Sequence, residues 1–124
     1  MRVTNATRGV VLGEAVDVAD TSAKRRTGLL KHTSLEPGQG LWIVPCEGVH
    51  TWFMKFAIDV VALDGAGRVI DVVADMKPRR IRLPRRGTAG VLELPAGWLA
   101  RTGTQLGHRI EFSTAPAQTR TEAA

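Results

Sequence analysis

Over most of its length this chain is cut by glycine and proline into apolar runs too short for anything but strands. Leu41-Trp42-Ile43-Val44 stops at Pro45, and residues 49–54 and 58–63 are two further runs. Asp64-Gly65-Ala66-Gly67 is a hairpin signal between residues 58–63 and 68–74. Residues 90–94 and 105–112 supply two more strands, and residues 3–12 read as an N-terminal hairpin turning at residues 5–9. Glu14 to Asp20 alternates polar and apolar residues, the period of a half-buried strand.

Helical signals are confined to two places. Asp20, Thr21 or Ser22 can cap a helix whose apolar side is Ala23, Leu29 and Leu30, with Lys24, Arg25, Arg26 and Lys31 turned to solvent. Gly28 is a weak point within it, at ~1 kcal/mol relative to Ala. A short second helix is expected from Ala96 to Thr102, with Pro95 in its first turn and Gly103 as its left-handed cap. The expected fold is α+β, mainly β. It is a small curled sheet or partly open β-barrel of about seven short strands, with one helix across an opening and one short C-terminal helix. Residues 1–112 form a single β-rich domain, and residues 113–124, nearly devoid of apolar side chains, are expected to be a disordered tail.

A chain of 124 residues can bury a core without staples. Three Trp, three Phe and no Tyr leave that core to Val, Leu, Ile and Ala. The single cysteine, Cys46, excludes an intrachain disulfide. No apolar run approaches the ~18 residues of a membrane span. The first residues lack the apolar core of a secretory signal, so the expected location is cytoplasmic. The net charge of +5 is concentrated. Lys77, Arg79, Arg80, Arg82, Arg85 and Arg86 fall in ten residues with no acid, and Pro78 and Pro84 make that stretch an exposed loop rather than a helix.

Three blocks carry a resemblance. Residues 24–30 run Lys24-Arg25-Arg26-Thr27-Gly28-Leu29-Leu30. Residues 49–64 contain Trp52-Phe53-Met54-Lys55 and the strand around Asp59. Residues 91–97 run Val91-Leu92-Glu93-Leu94-Pro95-Ala96-Gly97, with Gly103 and Gly107 downstream. Together they resemble the family known as domain of unknown function 192, from about Val10 to Phe112. Trp52-Phe53 stands where many relatives have the reverse order, and Leu30 where Met is usual. The resemblance implies a bacterial or archaeal protein and assigns no activity.

Lys55, Asp59 and Glu93 each sit in or beside an apolar strand at positions that the family pattern fills with the same charge. A buried carboxylate needs a partner, and Lys55 or Arg26 can supply one. A pocket around Trp52, Lys55, Asp59 and Glu93, with Arg26 and Arg80 as further cations, would take a small anionic ligand. The competing reading is a structural ion pair. Trp42, Trp52 and Trp98 read as core in so aromatic-poor a chain, the other use being a stacking platform. Cys46 and His50 are the one close pair of nucleophile and base. In extended chain their side chains would stand ~13 Å apart, and only a bend at Glu47-Gly48 would join them. A metal site is not indicated, because His32 and His108 are remote in sequence, and no cofactor is implied.

The function expected is therefore a domain that binds a small, anionic ligand or a protein partner, as a monomer. One alternative is a hydrolase- or transferase-type enzyme using Cys46 and His50 or a buried carboxylate. The other is weak nucleic-acid binding through residues 77–86, disfavoured because no aromatic residue is interleaved with the charges.

Overall fold

The computed structural model describes residues 1–114. Ten strands and two short helices follow in the order β1 (Arg2–Asn5), β2 (Val10–Gly13), β3 (Ala15–Ala19), α1 (Ser22–Thr27), β4 (Gln39–Ile43), β5 (Val49–His50), β6 (Ile58–Leu63), β7 (Val69–Met76), β8 (Ile81–Arg82), β9 (Gly90–Pro95), α2 (Trp98–Thr102) and β10 (Ile110–Ser113). The expected α+β, mainly β class holds. The main sheet is β3-β4-β9-β6-β7, flanked by β10-β1-β2 and by the ribbon β5-β8. The main sheet does not close: β3 and β7 are its edges, in keeping with the expected open arrangement.

Among the described residues only β3 and β4 pair in parallel, and α1 lies in the connection between them. Antiparallel neighbours need only a hairpin, whereas parallel ones need a crossover, which is why the longer helix falls here. Thr21 caps it through its hydroxyl, which accepts the Lys24 N–H at 3.1 Å. Gly28 is not a weak point inside the helix but its end. It adopts φ 50° and donates its N–H to the Lys24 carbonyl, so Leu29 and Leu30 lie beyond the helix.

The central strands β6 and β9 are buried at every position. Alternation sends their side chains to two separate cores. Val61, Leu63, Leu92 and Leu94 pack with Val3, Leu12, Val16 and Leu99 on the side of the three-stranded sheet. Ile58, Val60 and Val91 pack with Leu29, Ile43 and Met54 on the side of α1. Trp42 and Trp98 border the first core, Trp98 donating its indole N–H to the Leu12 carbonyl at 2.7 Å.

Several expected boundaries move. The run of residues 49–54 is a strand only at Val49–His50, because the chain turns at residues 51–57 and Phe53 takes the left-handed φ of 68°. Pro95 closes β9 instead of opening a helix, and α2 begins at Trp98. The basic stretch is no free loop. Its Ile81–Arg82 pairs with β5, and Arg82 is buried, donating to Asp71 at 2.9 Å and to the Glu47 carbonyl at 2.6 Å. The last strand begins at Ile110, not Gln105, and includes Ser113, and residues 115–124 of the expected tail lie outside the described residues. Among the described residues no helix is long and apolar enough to cross a membrane.

Asp59 sits at the fully buried centre of this construction. One carboxyl oxygen accepts the Leu99 N–H at 2.7 Å, capping α2 where Gly97 has no side chain to do so. The other accepts the Asp75 N–H at 2.8 Å, at a left-handed residue in β7. Hydrogen bonds to a charged acceptor contribute ~1.5–3 kcal/mol each, so Asp59→Ala is expected to cost about 4 kcal/mol in urea unfolding. A loss under ~1 kcal/mol would mean that solvent can replace both contacts.

Candidate ligand-binding cleft

A cleft of about 250 Å³ opens between the end of α1 and the second core. Arg25 and Arg26 come from the last turn of α1, and Leu29 and Leu30 from the chain after Gly28. Cys46 and His50 come from the segment between β4 and β6, and Glu93 from β9. Gly48 makes the opposite wall possible. A Cβ there would lie 2.6 Å from the Arg82 carbonyl oxygen, so only glycine lets this segment pass β8.

Glu93 is the unusual member. It is 4% exposed, between Leu41 and Val60 on its neighbouring strands. No described residue offers its carboxyl a hydrogen bond or an ion pair. Burial alone lifts it from 4.5 to about 7. The folded state thus holds this proton more tightly than the unfolded chain does. The stability associated with it is fully present below pH 4.5 and is lost as pH rises towards about 7.

Cys46 is half-buried beside it. Burial pushes the thiol above its ordinary value, and the nearby Glu93 charge acts in the same direction, with Arg82 and Arg25 opposing. The thiol donates to the Gly48 carbonyl at 2.9 Å. Cys46 and His50 line one cleft, but the thiol's hydrogen-bond partner is backbone rather than imidazole.

Of the six residues expected to form a pocket, Arg26 and Glu93 line this cleft. Lys55 is at its margin, its ammonium 3.5 Å from the Leu30 carbonyl. Asp59 is not part of it. It pairs with Leu94 and shares that residue's face of the sheet, opposite to Glu93, so the two carboxyls never meet. Trp52 and Arg80 stand together elsewhere, on the outer surface beyond β5 and β8, where Thr51 ties the two segments through hydrogen bonds with Arg80. Arg25, which the sequence pattern turns to solvent, also lines the cleft. The short spacing between it and Gly28, where the helix ends, was the available signal. Among the described residues no three His, Cys, Asp or Glu side chains are grouped to hold a metal ion.

The model of the family described as "Uncharacterized ACR", domain of unknown function 192, matches residues 3–112. The chain belongs to this family. A UPF0127 protein of Pyrococcus abyssi is 30% identical over 118 residues, covering 90% of this chain and 97% of the relative. One of Thermococcus sibiricus is 30% identical over 113 residues, covering 87% of this chain and 72% of the relative. The crystal structure of a protein of unknown function from Novosphingobium aromaticivorans superposes with a TM-score of 0.76 at 28% identity, covering 90% of this chain and 82% of that one. The resemblance carried by the three sequence blocks is therefore borne out, and the domain of unknown function 192 family has no established catalytic activity. Two of those blocks, residues 24–30 and 91–97, supply Arg25, Arg26 and Glu93 to the cleft.

Two measurements probe this geometry. Glu93→Gln preserves shape and removes the titration. The parent's stability is expected to fall between pH 5 and pH 8, whereas the variant's stays flat and exceeds the parent's at pH 8 by up to about 3 kcal/mol. An equal decline in both would place the titration elsewhere. Iodoacetamide should alkylate Cys46 more slowly than free cysteine at pH 7.5, and faster labelling would contradict a buried, raised thiol.

Proposed function

We propose that this domain binds a small anionic metabolite in the cleft between α1 and β9, with Arg25 and Arg26 meeting the anionic group and Glu93 a hydrogen-bonding group at the other end. The observation that carries this reading is the carboxyl of Glu93, on a residue only 4% exposed, which has no hydrogen-bond partner among the described residues and lines a cleft to which Arg25 and Arg26 also contribute. A carboxyl held in a narrow, mostly apolar cleft is poorly hydrated, and a ligand that supplies a hydrogen-bond partner there gains a contact that solvent provides weakly. The cleft volume lies below the ~300–1,000 Å³ typical of drug-sized ligands, which favours a metabolite-sized molecule.

Protonation sets the sign of the pH dependence. Below about pH 7 Glu93 is neutral and donates a hydrogen bond, and above it the carboxylate repels an anion. A thermal-shift screen of small carboxylates, phosphate, sugar phosphates and nucleotides is expected to find stabilisation by a few degrees from one anionic class. The shift should be larger at pH 6 than at pH 8. Arg26→Ala should diminish it, and Glu93→Gln should remove its pH dependence. A flat screen on folded protein would argue against a small-molecule site.

A second reading has one observation behind it. A carboxyl that titrates near 7 is suited to general acid–base work at neutral pH, so an enzyme of hydrolase or transferase type would use Glu93 rather than Cys46 as its working group. Turnover of the stabilising compound, lost in Glu93→Gln, would favour it over simple binding.

A further inference from the structure

The ribbon beyond the cleft carries a second, independent feature. In β5 and β8 the alternation of side chains sends Val49 and Arg82 inward, while His50 and its partner Ile81 face out. Beyond the paired positions, Trp52 and Phe53 in the turn after β5 and Leu83 after the end of β8 are exposed as well. Four large apolar side chains are thereby left in solvent: Trp52 at 47%, Phe53 at 83%, Ile81 at 62% and Leu83 at 70% exposure. They belong to one substructure, because Thr51 exchanges hydrogen bonds with Arg80 and its hydroxyl donates to the Lys77 carbonyl at 2.6 Å. Phe53 is held in the left-handed region at φ 68°, which disfavours a side chain of its kind, and its ring contributes to neither core.

The cations lie in β8 and in the segments that flank it. Lys77 pairs with Asp75, Arg82 with Asp71, and Arg85 approaches Asp71 at 3.8 Å. Arg79, Arg80 and Arg86 are exposed and have no acidic partner among the described residues. The aromatic residues absent from the basic stretch in sequence are thus supplied to it by the neighbouring segment in space.

We propose that this ribbon docks on an anionic lipid surface, the apolar side chains entering the boundary of headgroups and hydrocarbon while Arg79, Arg80 and Arg86 meet lipid phosphates. A hydrocarbon boundary accommodates all four apolar side chains, whereas single-stranded nucleic acid would stack on Trp52 and Phe53 and leave Ile81 and Leu83 without a role.

Vesicle co-sedimentation tests this with the full chain, using phosphatidylcholine alone and an equal mixture with phosphatidylglycerol. Binding is expected to the mixture only, to weaken with salt, and to be accompanied by a blue shift of Trp emission that Trp52→Phe abolishes. Phe53→Gly is the discriminating variant, because glycine accepts the left-handed conformation and the fold stays intact. It should retain the parent's thermal stability while weakening vesicle binding roughly tenfold. Ile81→Ser and Leu83→Ser should weaken it similarly, and Arg80→Ala or Arg86→Ala about fivefold each. Failure of the parent to bind the anionic vesicles at low salt overturns the proposal. So does binding that Phe53→Gly, Ile81→Ser and Leu83→Ser leave unchanged. Retention of a single-stranded oligonucleotide without any vesicle binding would assign the ribbon to nucleic acid instead.

Discussion

The burial of β6 and β9 on both faces is the constraint on which the rest of this molecule depends. A strand covered on both sides has no solvent-facing positions to which a polar side chain can be assigned, so its sequence runs almost entirely apolar. Two carboxyls interrupt these strands, Asp59 in β6 and Glu93 in β9, and both are buried. Their fates differ because of register. The pairing of Asp59 with Leu94 and of Val60 with Glu93 assigns the two acids to opposite faces of one sheet. On one face two backbone N–H groups converge on Asp59. On the other there is open volume.

That difference separates architecture from site. Asp59 joins three elements that the backbone alone would leave loosely related: β6, the left-handed residue in β7, and the uncapped start of α2. A carboxylate saturated by main-chain donors has little left to offer a ligand. Glu93 has the complementary character. Its neighbours along the sheet are aliphatic, and the cations that line the cleft come from the helix connecting β3 to β4 rather than from the sheet itself. The raised proton affinity of Glu93 follows from this arrangement and would fall if a cation entered the cleft.

Much of the fold was legible in the sequence because it rests on local chemistry. The Asp64-Gly65-Ala66-Gly67 turn is where it should be, with the Asp64 carboxylate accepting the N–H groups of Ala66 and Arg68 at 2.9 Å. Gly103 does cap α2 in the left-handed conformation. What failed was tertiary. Residues 49–54 have the apolar content of a strand, yet only Val49 and His50 form one, because β8 opposite is itself two residues long and the chain turns after Thr51. Arg82 could not be distinguished from the five cations around it until Asp71 was known to lie within reach.

The site was half legible for a related reason. Sequence spacing identifies a charge among apolar residues, but the face that the charge occupies depends on the register of its strand against others distant in sequence. One residue of slip would have exchanged the environments of Asp59 and Val60. Grouping Lys55, Asp59 and Glu93 assumed a shared face that the register between β6 and β9 forbids. Arg26 and Glu93 meet across a larger separation in sequence. Gly28 stops α1 early, and the parallel pairing of β3 with β4 brings the helix end to the side of the sheet that Glu93 faces. A glycine that reads as a defect in a helix is therefore better understood as the residue that ends the helix at the cleft, leaving Leu29 and Leu30 to line it.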